Sequence, residues 1–207
     1  MTDASYPGSQ RFDSAQTAFA QMDFVVRQVL SGVSTATLVM VVKVDNAGEV
    51  APVGKVDVKP LVMQIDADGV GMAHGVIHNV PYARVQGGAD AIILDPKVGD
   101  IGIALFASRD ISSVKETKSE GLPGSRRTHD LADALYIGGV LNGTPEQYIR
   151  FHDGGIEIKA ATVTITGDLT VTGTATASVD VFGGGKSLKN HTHTGVTPGG
   201  GSSGPPS

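Results

Sequence analysis

Residues 163–181 alternate strictly, with apolar residues or glycine at odd positions and polar residues at even positions. Because side chains alternate between the two faces of an extended strand, this run predicts one long strand with an apolar and a polar face. At about 3.3 Å per residue the strand would reach roughly 60 Å, far beyond an ordinary strand. A single ribbon cannot bury its apolar column. Several identical chains wound around one axis can bury it and leave no open strand edge.

A globular alternative also fits this run, in which several strands of one sheet turn at Gly167 and Gly173. No sequence argument removes it. The segments EQYIRF and GGIEIKA, which precede the run, alternate as well. We therefore predict a β stem over residues 147–182, followed by an end segment over residues 183–207.

Residues 35–115 read as short strands separated by turn signals such as DNAG and DADG. About five strands in 80 residues predict a small all-β barrel. Residues 116–146 carry Gly, Pro, Arg and Asn with one brief helical pattern, HDLADALYI, and are interpreted as a connector.

The N-terminal segment, residues 1–34, contains a predicted helix over residues 13–31 that ends before Gly32. Its apolar residues Phe19, Met22, Val26 and Val29 are spaced by three and four, as on one helix face. Two readings stay open: the helix packs on its own domain, or it docks on a partner or on copies of itself.

Composition excludes several classes of function. The formal charge of −5 and the lack of any basic cluster larger than Arg126–Arg127 argue against nucleic-acid binding. The chain has no cysteine, hence no disulfide or thiolate metal site. The sequence has no apolar run of membrane-spanning length, and its start lacks signal-peptide features, so we expect synthesis in the cytosol.

Four short segments resemble known site motifs, but each lacks the neighbouring residues or secondary structure that its motif requires. GGGKS at 183–187 lacks the first glycine and the helix of a phosphate-binding loop, and the G-x-S-x-G match at 200–204 lies in a Gly/Ser tail. DADG at 66–69 lacks the later acidic ligands of a calcium loop. His74 and His78 lie in a β-type context without the glutamate of a zinc protease. With no acid–base pair or nucleophile triad, we expect no enzymatic activity.

His191 and His193 remain as the candidate metal ligands. In an extended chain the two imidazoles point the same way, but two ligands make a poor site alone. Around a threefold axis, three chains would supply six imidazole nitrogens. Six nitrogens suit a first-row metal such as iron(II), cobalt or nickel better than zinc. Without that axis the pair would be an exposed accident.

The order of these parts resembles the central spike proteins of contractile-tailed bacteriophage baseplates, the baseplate assembly protein V type. The segments that carry the resemblance are VPYARVQGG, DPKVGDIGIALFASRDIS, RRTHDLADAL and the terminal NHTHTG. They are similar to the membrane-piercing spike branch, and the resemblance extends from about residue 30 to residue 194.

The resemblance implies an OB-fold barrel, a trimeric three-stranded intertwined β-helix, and an apex where His191 and His193 of each chain hold one iron(II) ion per trimer. It further implies a virion protein at the tail baseplate tip, made in the host cytoplasm. The barrel would dock on the baseplate hub and the apex would pierce the host outer membrane on sheath contraction. Residues 116–146 hold no lysozyme-like insertion, unlike larger relatives.

Two other classes of function lack the residues that they would need. A trimeric tail fibre or adhesin that binds host glycan would need a concave or aromatic surface, yet the last aromatic residue is Phe182. A metalloenzyme would need an acid or base near the histidines, and the nearest acidic residue in sequence is Asp180.

Overall fold

A computed structural model describes residues 17–66, 68–192, 195 and 199. These residues are mostly β, and they divide into two compact units, Met1–Thr144 and Pro145–Ser207. No helix in the described part of the chain is long and apolar enough to cross a bilayer. In chain order the elements are α1 Ala18–Ser31, β1 Ala36–Asp45, β2 Lys55–Pro60, β3 Gln64–Ile65, β4 Gly71–Met72, β5 Ile77–Pro81, β6 Val85–Gly87, β7 Asp90–Ile92, β8 Ile101–Phe106, α2 Ser112–Thr117, the 3-10 helix Leu131–Asp133, β9 Ala134–Gly138, β10 Tyr148–His152, β11 Gly155–Lys159, β12 Phe182–Gly183 and β13 Lys186–Ser187.

The first unit is built on a five-stranded antiparallel sheet in the order β5-β2-β1-β8-β9. The sheet curls until its two edge strands meet. Tyr82, directly after β5, forms a parallel bridge with Tyr136 of β9, and the Ala83 amide donates to the Tyr136 carbonyl at 2.8 Å. The architecture is therefore a small, partly open barrel, which covers edges that would otherwise be free to pair.

The barrel interior is filled by the inward-facing residues of alternating strands. In β2, for example, Val56, Val58 and Pro60 are buried while the residues between them are not. This is the two-residue period that a half-buried strand requires. The buried apolar core comprises Val39, Val41, Val56, Val58, Ile77, Val80, Tyr82, Ala104, Phe106, Ala134 and Tyr136.

The ring of Tyr136 needs two glycines beside it. A Cβ at Gly102 would lie 2.5 Å from the Tyr136 ring and would also overlap the Ile137 carbonyl oxygen. A Cβ at Gly138 would lie 3.1 Å from the same ring. The glycines therefore permit close approach of a large side chain inside a narrow barrel.

The sheet extends beyond the bounds predicted for the barrel, residues 35–115. Its fifth strand, β9, lies within the predicted connector and pairs with β8 along five residue pairs. The helical pattern in HDLADALYI accounts only for the 3-10 turn Leu131–Asp133, and the remaining residues are strand. The unit ends at Thr144, two residues before the predicted end of the connector at 146.

The segment VPYARVQGG is tied to the segment that begins DPKVGD by a polar cluster. The Tyr82 hydroxyl donates to Asp95 Oδ1 at 2.7 Å, and Arg84 Nη2 donates to the same oxygen at 2.7 Å. Arg84 Nη1 also donates to the Ala51 carbonyl at 2.7 Å. The Arg84 guanidinium, followed by the Tyr82 hydroxyl, lowers the pKa of the Asp95 carboxyl. These residues thus hold the loops of the barrel together.

The segment RRTHDLADAL is anchored by a second cluster. Arg127 donates through Nε to Asp133 Oδ2 at 2.6 Å and through Nη2 to Asp110 Oδ1 at 2.7 Å. Both carboxylates are buried, and they also accept from the amides of Ser112 and Ile111. Hydrogen bonds from Ser112, with Ser125 and Arg127 nearby, lower the pKa of Asp110 to about 2. A buried carboxylate kept ionised and fully bonded is a structural group.

Helix α1 spans Ala18–Ser31, which lies within the range 13–31 predicted for it. Its cap is Thr17, whose hydroxyl accepts from the Ala20 amide at 3.1 Å, and Gly32 follows its last turn as predicted. Residues 13–16 lie outside the described part of the chain. None of the helix residues is buried, so packing of α1 on its own domain, one of the two readings of the sequence, finds no support here.

The second unit begins with a hairpin formed by β10 and β11, which turn at Asp153 and Gly154. Gly154 takes a φ of 95°, a value that favours glycine. The two alternating segments EQYIRF and GGIEIKA thus contribute the two paired strands of this hairpin. Residues 160–181 form no strand within the single chain.

Candidate metal centre at the apex

The candidate centre lies beside a second small hairpin, formed by β12 and β13. Its turn consists of Gly184 and Gly185, with φ values of 56° and 78°. Two successive residues with positive φ are what a two-residue hairpin turn of type I′ requires. The glycines of GGGKS, which fail as a phosphate-binding loop, therefore serve to reverse the chain at the apex.

Asp180 organises this apex hairpin. Its Oδ1 accepts from the amides of Val181 at 2.7 Å and Lys189 at 3.1 Å, and its Oδ2 accepts from the Ser187 hydroxyl. Ser187 Oγ in turn accepts from the Asn190 amide at 2.8 Å. One carboxylate thus joins the end of the stem to the segment that leads into the histidines.

The ionised form of Asp180 is the one these donors favour. The Ser187 hydroxyl, with backbone amides after it, lowers the pKa of the Asp180 carboxyl. A lowered pKa means that the hairpin gains stability at pH values above the ordinary carboxyl range. That gain is lost as the pH falls through the lowered pKa.

His191 is the next residue after Asn190, whose amide donates to Ser187 in this network. Its Nδ1 lies 3.0 Å from the Leu188 carbonyl oxygen, and the side chain is exposed. A carbonyl can only accept, so Nδ1–H is the donor in this contact, and in the neutral imidazole Nε2 is then the atom that carries the lone pair. Metal-binding histidines are commonly oriented in this way, by an N–H donated to a backbone carbonyl. His191 therefore fits the role of a metal ligand.

The second predicted ligand, His193, lies outside the described residues. Among the residues that the structure does describe, no three His, Cys, Asp or Glu side chains come together as a metal site. The structure places Asp180 near the sequence neighbours of His191, and sequence reasoning missed its role. The local tendency of Asp to accept from nearby backbone amides accounts for the Val181 contact, but it does not predict the contacts with Ser187 and Lys189.

The apolar column of the stem is exposed in the single chain. Val163, Ile165, Leu169 and Val171 each leave about half or more of their surface open. The polar residues at even positions from 164 to 178 are exposed as well. Within the residues that the structure describes, nothing therefore covers the column.

The stem hairpin, β10 with β11, separates its residues into two unlike faces. One face holds the cross-strand pairs Ile149–Ile158 and Phe151–Ile156, whose side chains are 55–77% exposed. On the other face the Tyr148 hydroxyl donates to Glu157 Oε1 at 2.9 Å, and Arg150 lies 3.7 Å from Glu157 Oε2. A two-stranded hairpin is marginal alone and needs a layer on its apolar face.

Replacement of Asp180 by asparagine is expected to loosen the apex hairpin. Asparagine has no charge and only one accepting oxygen, so it cannot hold three donors as the carboxylate does. Hydrogen exchange of the Val181 and Lys189 amides should become severalfold faster. Asp168→Asn, the same change in the stem, is the matched control and should leave both amides as they were. Unaltered exchange in Asp180→Asn would remove Asp180 from its assigned role.

Comparison with known families gives a match at the end of the chain. Residues 187–207 match the family model described as the GpV Apex motif. The match begins at Ser187, within the Asp180 network, and includes both histidines. No curated protein matches the chain.

Proposed function

The chain carries the apex motif of phage baseplate spike protein V, and we propose that it is the central spike of a contractile tail or of a related injection machine. The motif itself points to a structural protein of the baseplate spike. We propose that on sheath contraction the apex is driven through the host outer membrane, as a mechanical and not a catalytic step. The observation that carries this proposal is the apex motif, which follows directly on an alternating stem.

The working form is a homotrimer wound through residues 147–182. The apolar faces of the stem hairpin and of residues 163–181 support this, since both are open in one chain and both would be covered by copies. Small residues in the column, such as Ala175 and Ala177, suit a narrow axis. Burial of that column would supply the main driving force for assembly.

The barrel of the first unit is assigned the OB fold and the task of docking on the baseplate hub. Its five-stranded sheet, curled until β5 meets β9, supports the fold, because OB folds are partly open five-stranded barrels. The hub assignment rests on the resemblance of VPYARVQGG and RRTHDLADAL to the spike family. The two ion-pair clusters explain why those segments keep their shape.

The metal is iron(II), one ion per trimer, held by His191 and His193 of the three chains. The orientation of His191 against the Leu188 carbonyl supports the choice of Nε2 as the ligand atom. When bound, the ion would cross-link three chain ends. Asp180 and Ser187 would hold each end in place, so the apex would resist fraying as it meets the membrane.

Localisation on the assembled particle tests the proposed function. Gold-labelled antibodies raised against the purified chain should mark the distal end of the tail, at the centre of the baseplate. Pre-immune antibodies provide the control. Label along the tail fibres, with none at the tip, would contradict the spike and support a fibre.

A further inference from the structure

Helix α1 has an apolar face that none of the described residues buries. All of its large apolar side chains other than Phe24 are 49–83% exposed: Phe19, Met22, Val25, Val26, Val29 and Leu30. The spacing of Phe19, Met22, Val26 and Val29 is three, four, three, which is the a/d repeat of a coiled coil. We infer that α1 associates with the α1 helices of two further copies of this chain, as a short parallel bundle at the N-terminal side of the trimer.

The width of the apolar face favours packing against two neighbouring helices over docking in a groove of another protein. Val25 and Leu30 take the g and e positions beside the a/d seam, so the apolar arc spans about 140° at 100° per residue. A helix that docks in a groove of another protein needs only one stripe of anchors. A helix in a three-helix bundle contacts two partners and uses the positions that flank the seam.

Charge does not oppose the packing of identical helices. The only charged residues within Ala18–Ser31 are Asp23 and Arg27, and they pair with each other at 2.8 Å, four residues apart. The apolar arc itself carries no charge. Three copies can therefore approach through this face without like-charge repulsion between their seams.

The inference rests on the proposed trimer. A helix of 14 residues is marginal alone, because isolated helices shorter than about 12–15 residues are barely stable in water. Copies already joined through their stems would meet at a high effective concentration. The bundle would then form as a consequence of stem assembly and would align the N-terminal ends of the three chains.

Cysteine cross-linking of the full-length protein tests the bundle, and the absence of native cysteine makes each introduced thiol unique in its chain. Met22→Cys and Val29→Cys place thiols on the seam in two different turns. Gln21→Cys, at an adjacent position on the polar side, is the control. A short bismaleimide should join two of the three chains in each seam variant, and the control should stay largely monomeric on a denaturing gel.

Light scattering of the same samples separates this inference from the proposed function. A trimer whose seam variants cross-link no better than Gln21→Cys would overturn the bundle and leave the spike intact. Use of two seam positions guards against one variant that fails to fold. A monomeric wild-type chain would overturn the trimer and the bundle together.

Discussion

Replacement of Val171 by aspartate is expected to abolish the trimer. Val171 lies in the middle of the alternating column, so three carboxylates would face one another in the buried axis with no partner. The cost of burying each unpaired charge is several kcal/mol, and repulsion within the column adds to it. Light scattering should show monomers or aggregates in place of trimers.

Thr170→Asp is the matched control for this change. It adds the same charge one residue earlier, at a polar position that would face solvent in the assembled stem. It should leave the trimer intact. Equal behaviour of the two variants would contradict the two-faced stem, because the faces would then be indistinguishable.

Replacement of His193 by alanine is expected to remove the metal completely. The proposed site draws two imidazoles from each chain, and the change deletes three of six ligands at once. Structural metal binding can contribute on the order of 10 kcal/mol, so the apex should lose most of its local stability while the stem stays trimeric. Elemental analysis of the purified trimer should give about one iron per three chains in the wild type and none in the variant.

His152→Ala serves as the control for the metal. His152 lies in the stem hairpin, where its Nδ1 is 3.0 Å from the Asp153 carbonyl oxygen, and it is no part of the apex motif. Its removal should leave the iron content unchanged. A metal-free wild-type trimer, purified without chelators, would show instead that the HTH motif is incidental.

Much of the barrel could be predicted from sequence because its strands follow local rules. The turn signal DNAG begins at the last residue of β1, and DADG lies between β3 and β4, as a turn signal predicts. The fifth strand, β9, was missed. Its residues follow a 3-10 turn in a polar segment, and only pairing with β8 and burial of Ala134 and Tyr136 make them a strand.

The predicted long strand of the stem stays a prediction. In the part of the chain that the structure describes, residues 160–181 belong to no strand, because an extended segment that joins no ladder is not a strand. The alternation therefore indicates which face would be buried, and under the proposed trimer the partner strands would come from other chains. The hairpin of β10 and β11 differs because its partner is local.

At the apex, the sequence predicted the resemblance to the spike proteins, but it did not predict the hydrogen bonds that hold the apex hairpin. The resemblance to the baseplate spike is confirmed for the end of the chain, where residues 187–207 match the GpV Apex motif. The role of Asp180 was invisible, since it depends on a turn at Gly184 and Gly185 that returns Ser187 and Lys189 to the same carboxylate. Spacing alone does not reveal such a contact.

Native mass spectrometry of the purified full-length chain tests the trimeric, metal-locked spike most directly. The expected species is three chains of 21.2 kDa each together with one iron ion. Loss of the ion on addition of a chelator should leave the three chains associated, because the stem holds them. A soluble monomer without metal would contradict the account.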